Sequence, residues 1–139
     1  MKNEPLSKLA RAAKAAQQQA FAPYSEFPVG AALETASGKI YTGCNIENSS
    51  YSLTICAERV AVFKAVSEGE TEFKKIAIAT NAEAFCPPCG ACRQVLSEFA
   101  PDLSVLLLNS RGETRETSIA ELLPEAFDRH FLPGKKQEE

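Results

Sequence analysis

Three of the five cysteines in this 139-residue chain fall in two short elements, Cys56-Ala57-Glu58 and Pro88-Cys89-Gly90-Ala91-Cys92. Thiolates are soft donors that suit zinc, and a Cys-x-x-Cys pair at a helix start puts two of them on one face, within reach of one ion. Cys56 supplies the third donor from a second helix start, where unpaired amides and the helix dipole favour a thiolate. Three protein ligands leave a tetrahedral metal one open position, at which a water ionises near pH ~7 and can attack carbon. Glu58 stands two residues from a ligand without being one, and so is free to move protons. The pattern is that of a catalytic zinc site.

Three thiolates overload zinc with negative charge and oppose ionisation of its water. Arg59 and Arg93, each next to a cysteine, are suited to hydrogen-bond the sulfurs and draw that charge off. Cys86 precedes Cys89 by the same step that separates Cys89 from Cys92. As a fourth ligand it would close the site into a structural zinc with no room for water. On spacing alone that alternative, a non-catalytic zinc-stabilised interaction module, stays open. Glu58 also has a plain reading as a first-turn carboxylate that complements the helix dipole. Cys44 reads as a small apolar core residue, and the single histidine, His130, takes no role.

The chain that must position these residues is 45% apolar and 24% charged, and its length suits one domain, 1–139, able to bury a core without a structural metal. Clustered cysteines, odd in number, favour metal over a disulfide framework. The segment Met1–Pro5 lacks the apolar core of a signal peptide, which points to a cytoplasmic protein. A formal charge of -3 argues against a nucleic-acid polymer as partner, and no apolar run reaches membrane-spanning length.

Apolar spacing predicts a helix from Pro5 to before Pro23, then strands 29–35 and 39–44 joined by Ala36-Ser37-Gly38. A loop over 45–54 precedes a helix from Ile55 to Ser67. A buried strand over 73–80 follows, and the Cys86–Cys92 segment opens a helix that stops before Pro101. Strands 104–109 and 113–117 come next, and Ser118-Ile119-Ala120-Glu121 has capping-box spacing for a last helix. This order implies an α/β fold in which one mixed five-stranded sheet is sandwiched by helices in three layers. A charged tail starts at about Pro133.

From Tyr24 to Phe127 the chain resembles the small homotetrameric cytidine deaminases. The resemblance lies in Phe27-Pro28-Val29-Gly30-Ala31-Ala32-Leu33, Gly43-Cys44-Asn45-Ile46-Glu47-Asn48, Ile55-Cys56-Ala57-Glu58-Arg59, Pro88-Cys89-Gly90-Ala91-Cys92-Arg93-Gln94, and Glu121-Leu122-Leu123-Pro124 with Phe127. It implies one zinc per subunit on Cys56, Cys89 and Cys92, with no ligand at Cys86, and Glu58 as proton carrier. It also implies ribose contacts from Asn45 and Glu47, stacking of Phe27 on the pyrimidine, and further contacts from Ser49 and Tyr51. Ala57 can offer a backbone amide to the base carbonyl. Arg59 would support the sulfurs, while Phe127, carried on the last helix, and Tyr24 would serve a site shared between subunits. The expected reaction is hydrolytic deamination of cytidine and 2'-deoxycytidine in pyrimidine salvage. A deaminase of another aminated base, such as a cytosine-nucleoside antibiotic, ranks second because Asn45 and Glu47 suit a plain ribose.

Overall fold

The computed structural model, which describes residues 5–134, runs α1 (Lys8–Gln17), β1 (Gly30–Thr35), β2 (Ile40–Cys44), α2 (Ala57–Ser67), β3 (Phe73–Ala79), α3 (Gly90–Phe99), β4 (Ser104–Leu108), β5 (Thr114–Ser118) and α4 (Ile119–Leu122). The strands lie in the order β2-β1-β3-β4-β5, and only β3 and β4 pair in parallel. A parallel pair needs a crossover, which α3 supplies.

Side chains alternate across a strand, so strands that are apolar at every position bury both faces of a sheet. Ala31, Leu33, Ile76, Ile78, Val105 and Leu107 point to one face, where they pack with Ala61, Val62 and Ala65 of α2 and Leu96 of α3. Ala32, Ala77, Ala79, Leu106 and Leu108 point to the other, beneath Leu9, Ala10 and Ala13 of α1. Both helical layers come very close at a glycine. A Cβ on Gly30 would lie 2.1 Å from the Ala13 carbonyl oxygen, and one on Gly43 would lie 2.4 Å from that of Ala57. The expected three-layer α/β/α sandwich is therefore the fold, and the strand bounds agree with the sequence reading to about a residue.

The helix bounds differ, each for a local reason. Ser7 caps α1 by accepting from the Ala10 amide at 3.1 Å, and the chain leaves the helix after Gln17 so that Phe21 can bridge Ile46. Ile55 pairs with Ile46 through two 3.0 Å hydrogen bonds, which delays α2 until Ala57. Pro87 and Pro88 hold the chain extended, so α3 opens only at Gly90. The last helix is a single turn. Ser118 accepts from the Glu121 amide at 3.2 Å, but the Glu121 carboxylate takes the Thr117 hydroxyl at 2.9 Å and leaves the capping box half-formed. Pro124 then stops the helix. Phe127, expected on that helix, instead lies beyond it, ahead of a 3₁₀ turn at Arg129–Phe131. Most of the expected charged tail, 135–139, lies outside the described residues.

Candidate active site

Cys56 is the N-cap of α2 and Cys89 the N-cap of α3, and neither side chain bonds a helix amide. Cys92 projects from the first turn of α3 and is fully buried. The three sulfurs lie within 4.8 Å of one another, and those of Cys56 and Cys89 are 3.8 Å apart. A tetrahedral zinc held at the usual thiolate distance needs sulfurs about 3.8 Å apart. The donor set therefore fits zinc in both softness and spacing. Cys86 stands outside this cluster, its sulfur 3.8 Å from the Pro87 carbonyl oxygen, so the four-thiolate structural site does not form among the described residues.

Hydrogen bonding from Cys92, with further help from Arg59, pulls the Cys56 thiol down to about 5. That same bond to Cys56, together with burial, pushes Cys92 up. Within this pair the negative charge therefore sits at Cys56. Arg59 donates from Nη2 to the Cys56 sulfur at 3.3 Å, as expected, and that hydrogen bond above all holds it more firmly protonated. Its Nε is buried with no acceptor among the described residues. Arg93 departs from expectation. One residue past Cys92 it has turned about 100° around the helix, so it faces the chain end instead of the sulfurs. There its Nε donates to the Pro88 carbonyl at 2.7 Å and its Nη1 to that of Leu122 at 2.9 Å.

Glu58 is only 5% exposed, and burial pushes its carboxyl up to about 7. Residues two apart in a regular helix point away from each other. Because Cys56 is extended and only caps the helix, its sulfur and Glu58 instead reach the same cavity of about 240 Å³. Ala57 lines that cavity too, at the first helical position, where an amide hydrogen has no partner inside the helix. Phe27, Asn45 and Cys86 are further lining residues.

Asn45 is buried, and its side chain is committed on both ends. Its Oδ1 accepts from the Val29 amide and its Nδ2 donates to the Phe27 carbonyl, each at 2.9 Å. The Glu47 carboxylate accepts from the Tyr24 and Ser25 amides at 2.9 and 3.1 Å and from the Ser25 hydroxyl. The hydroxyl above all holds its carboxyl below the usual range. Tyr24, Glu47 and Tyr51 line an adjoining cavity of about 430 Å³, which shares Ser25 and Thr54 with the first. Together they fall in the size range of small-molecule sites. The Tyr24 and Tyr51 rings lie 6.0 Å apart. Ser49 and Phe127 are exposed and line neither cavity. The Phe127 ring stacks on Phe131 at 5.7 Å, and its carbonyl accepts from Gln94 at 2.8 Å. Sequence reasoning missed Ser25 and Thr80. A hydroxyl in a loop and a threonine at a strand end carry no local signal, and only the folded sheet brings them here.

Soft donors at two helix starts, served by one buried acid, are the working parts of a zinc-dependent deaminase acting on an aminated base. Residues 3–108 match the family described as "Cytidine and deoxycytidylate deaminase zinc-binding region", and the chain belongs to that family of enzymes, with zinc as cofactor. It is 52% identical over 128 residues to a cytidine deaminase of Sporosarcina psychrophila, covering 91% of this chain and 94% of that protein. A probable cytidine deaminase of Dictyostelium discoideum is 48% identical over 140 residues, covering 100% and 95% respectively. The crystal structure of cytidine deaminase from Burkholderia pseudomallei aligns with a TM-score of 0.84 at 50% identity, over 88% of this chain and all 100% of that one.

Proposed function

We propose that the enzyme converts cytidine and 2'-deoxycytidine, with water, to uridine and 2'-deoxyuridine plus ammonia, as a cytoplasmic step of pyrimidine salvage. The observation that carries this reading is the buried Glu58 in one cavity with the Cys56 and Cys89 sulfurs. Zinc, when bound by Cys56, Cys89 and Cys92, supplies a water ionised near neutral pH. Glu58 would take a proton from that water and pass it to the ring nitrogen beside the reacting carbon, then take the proton of the hydroxyl group formed on that carbon and give it to the amine, so that ammonia leaves as the carbonyl forms. A carboxyl pushed up to about 7 suits both directions of transfer. Arg59 offsets the thiolate charge.

The Ala57 amide is directed to the base carbonyl, and Phe27 gives the ring an apolar face. Asn45 and Glu47 hold the wall over 24–29 and still have acceptor capacity for the sugar. One Asn45 Oδ1 lone pair is engaged of two, and three Glu47 sites of about four. A carboxylate there welcomes hydroxyls and repels a phosphate, so the substrate is a neutral nucleoside. The exposed Tyr24, Tyr51 and Phe127 fit a homotetramer with shared active sites, to which Ser49 would add a contact. No helix among the described residues is long and apolar enough to cross a membrane. Purified zinc-loaded protein assayed on cytidine, cytosine and cytidine monophosphate tests the reading. Turnover should be confined largely to the nucleoside, and equal or better use of the free base or the monophosphate would overturn it.

A further inference from the structure

A polar side chain buried beside an apolar layer needs hydrogen-bond partners, and those of Gln17 are unusual in where they lie. Gln17 ends α1, the helix packed on the sheet face opposite α2 and α3, and is 7% exposed. Its Nε2 donates to the Pro28 carbonyl at 3.0 Å and to Asn81 Oδ1 at 2.9 Å. A carbonyl can only accept, so the amide nitrogen must face Pro28, and Asn81 must present its oxygen. Pro28 sits between Phe27 and Val29, and Asn81 follows Thr80. Phe27, Val29 and Thr80 all line the cavity that holds Glu58. Asn45 grips the same wall from its other side, through Phe27 and Val29. Gly30 is what lets α1 come close enough, since a Cβ there would lie 2.4 Å from the Gln17 backbone nitrogen.

We infer that Gln17 is a positioning residue for the base pocket, tying the Phe27–Val29 wall to the chain leaving β3 and so fixing the gap into which the pyrimidine ring fits. The inference rests on the deaminase reading above. Gln17 acts through the backbone it holds, so its loss should loosen binding of the ring and leave the zinc and Glu58 in place.

The variants Gln17→Leu, Asn81→Leu and Asn81→Asp, all zinc-loaded, separate this from a purely structural role. Asn81→Leu, which removes one hydrogen bond, should raise KM for cytidine roughly 3–10-fold, and Gln17→Leu, which removes two, should raise it at least as much, each with kcat within about threefold of the parent. Asn81→Asp keeps an acceptor opposite Nε2 and should restore the parental KM. If Gln17→Leu does not fold, Asn81→Leu at its exposed position carries the same expectation. Parental KM in the folded leucine variants, with only the thermal midpoint lowered, would overturn the inference. A parent without cytidine turnover would overturn the deaminase reading instead.

Discussion

Glu58 can serve as acid and base because of where the helix begins. One more helical residue at Cys56 would swing the sulfur and the carboxylate apart, whereas the extended cap sends both to one cavity. Glu58→Gln should keep zinc and fold but lower kcat by ~10²–10⁴-fold. Metal analysis and turnover on one sample check this, and substantial activity in a zinc-replete variant would remove Glu58 from the mechanism. Cys86→Ser should retain one zinc per chain, because its sulfur lies outside the cluster. Zinc loss on that change would reopen the structural-site alternative. Zinc binds thiolates, so a thiol protonated in the metal-free site must release its proton. Cys92, pushed up by its bond to Cys56 and by burial, is such a thiol, while Cys56 at about 5 adds nothing near neutrality. Apparent zinc affinity should therefore rise at least about tenfold per unit between pH 6 and 8. Chelator competition would show this, and a flat profile would contradict the proton assignment.

At the scale of elements, the site depends on α2 lying against β2 at Gly43. An added Cβ would meet the Ala57 carbonyl at 2.4 Å and the Ala61 amide nitrogen at 2.6 Å, both backbone atoms that cannot swing aside. Gly43→Ala should therefore cost about 1–3 kcal/mol of stability and shift Cys56 and Glu58 together. Lower zinc occupancy and lower kcat should accompany a lower thermal midpoint, and a stable, fully active variant would show that the contact yields freely. The wall over 24–29 has no strand ladder of its own, and side chains of Gln17, Asn45 and Glu47 hold it alongside the backbone bonds from Glu26 to Ala22 and from Asn45 to Val29. Glu47→Ala should raise KM for cytidine and spare the sheet; an unchanged KM would dissociate Glu47 from binding. Its carboxyl is depressed by the Ser25 hydroxyl. Its hold on the wall is thus present above the ordinary carboxylate pKa and is lost only as pH falls through the lower folded value.

At the scale of the molecule, several large apolar side chains stand open on the surface. Tyr51 is 73% exposed, Leu53 68%, Phe127 57% and Phe131 70%. These are residues that the proposed association would cover. The proposed homotetramer with Phe127 closing a neighbour's site makes activity depend on assembly. Light scattering and turnover followed through one dilution series should fall together, with zinc retained. A fully active monomer would refute a shared site.

Much of this was written in the chain. Sulfur spacing, the adjacent glutamate and the alternating strands act over a few residues, and such local signals survive reading without a structure. The three layers follow from period and order for the same reason. What sequence left open were relations between distant residues. Cys86 has the spacing of a ligand, and only the extended Pro87-Pro88 segment and the placement of the two helix starts leave it outside the cluster. Arg93 borders a ligand, yet the turn of α3 aims it at Leu122. Nothing local signalled the bonds that Gln17 makes, because its partners are 11 and 64 residues away. Residue type and spacing determine which chemistry is possible; packing decides which side chains meet, since it alone sets the distances over which hydrogen bonds and metal coordination act.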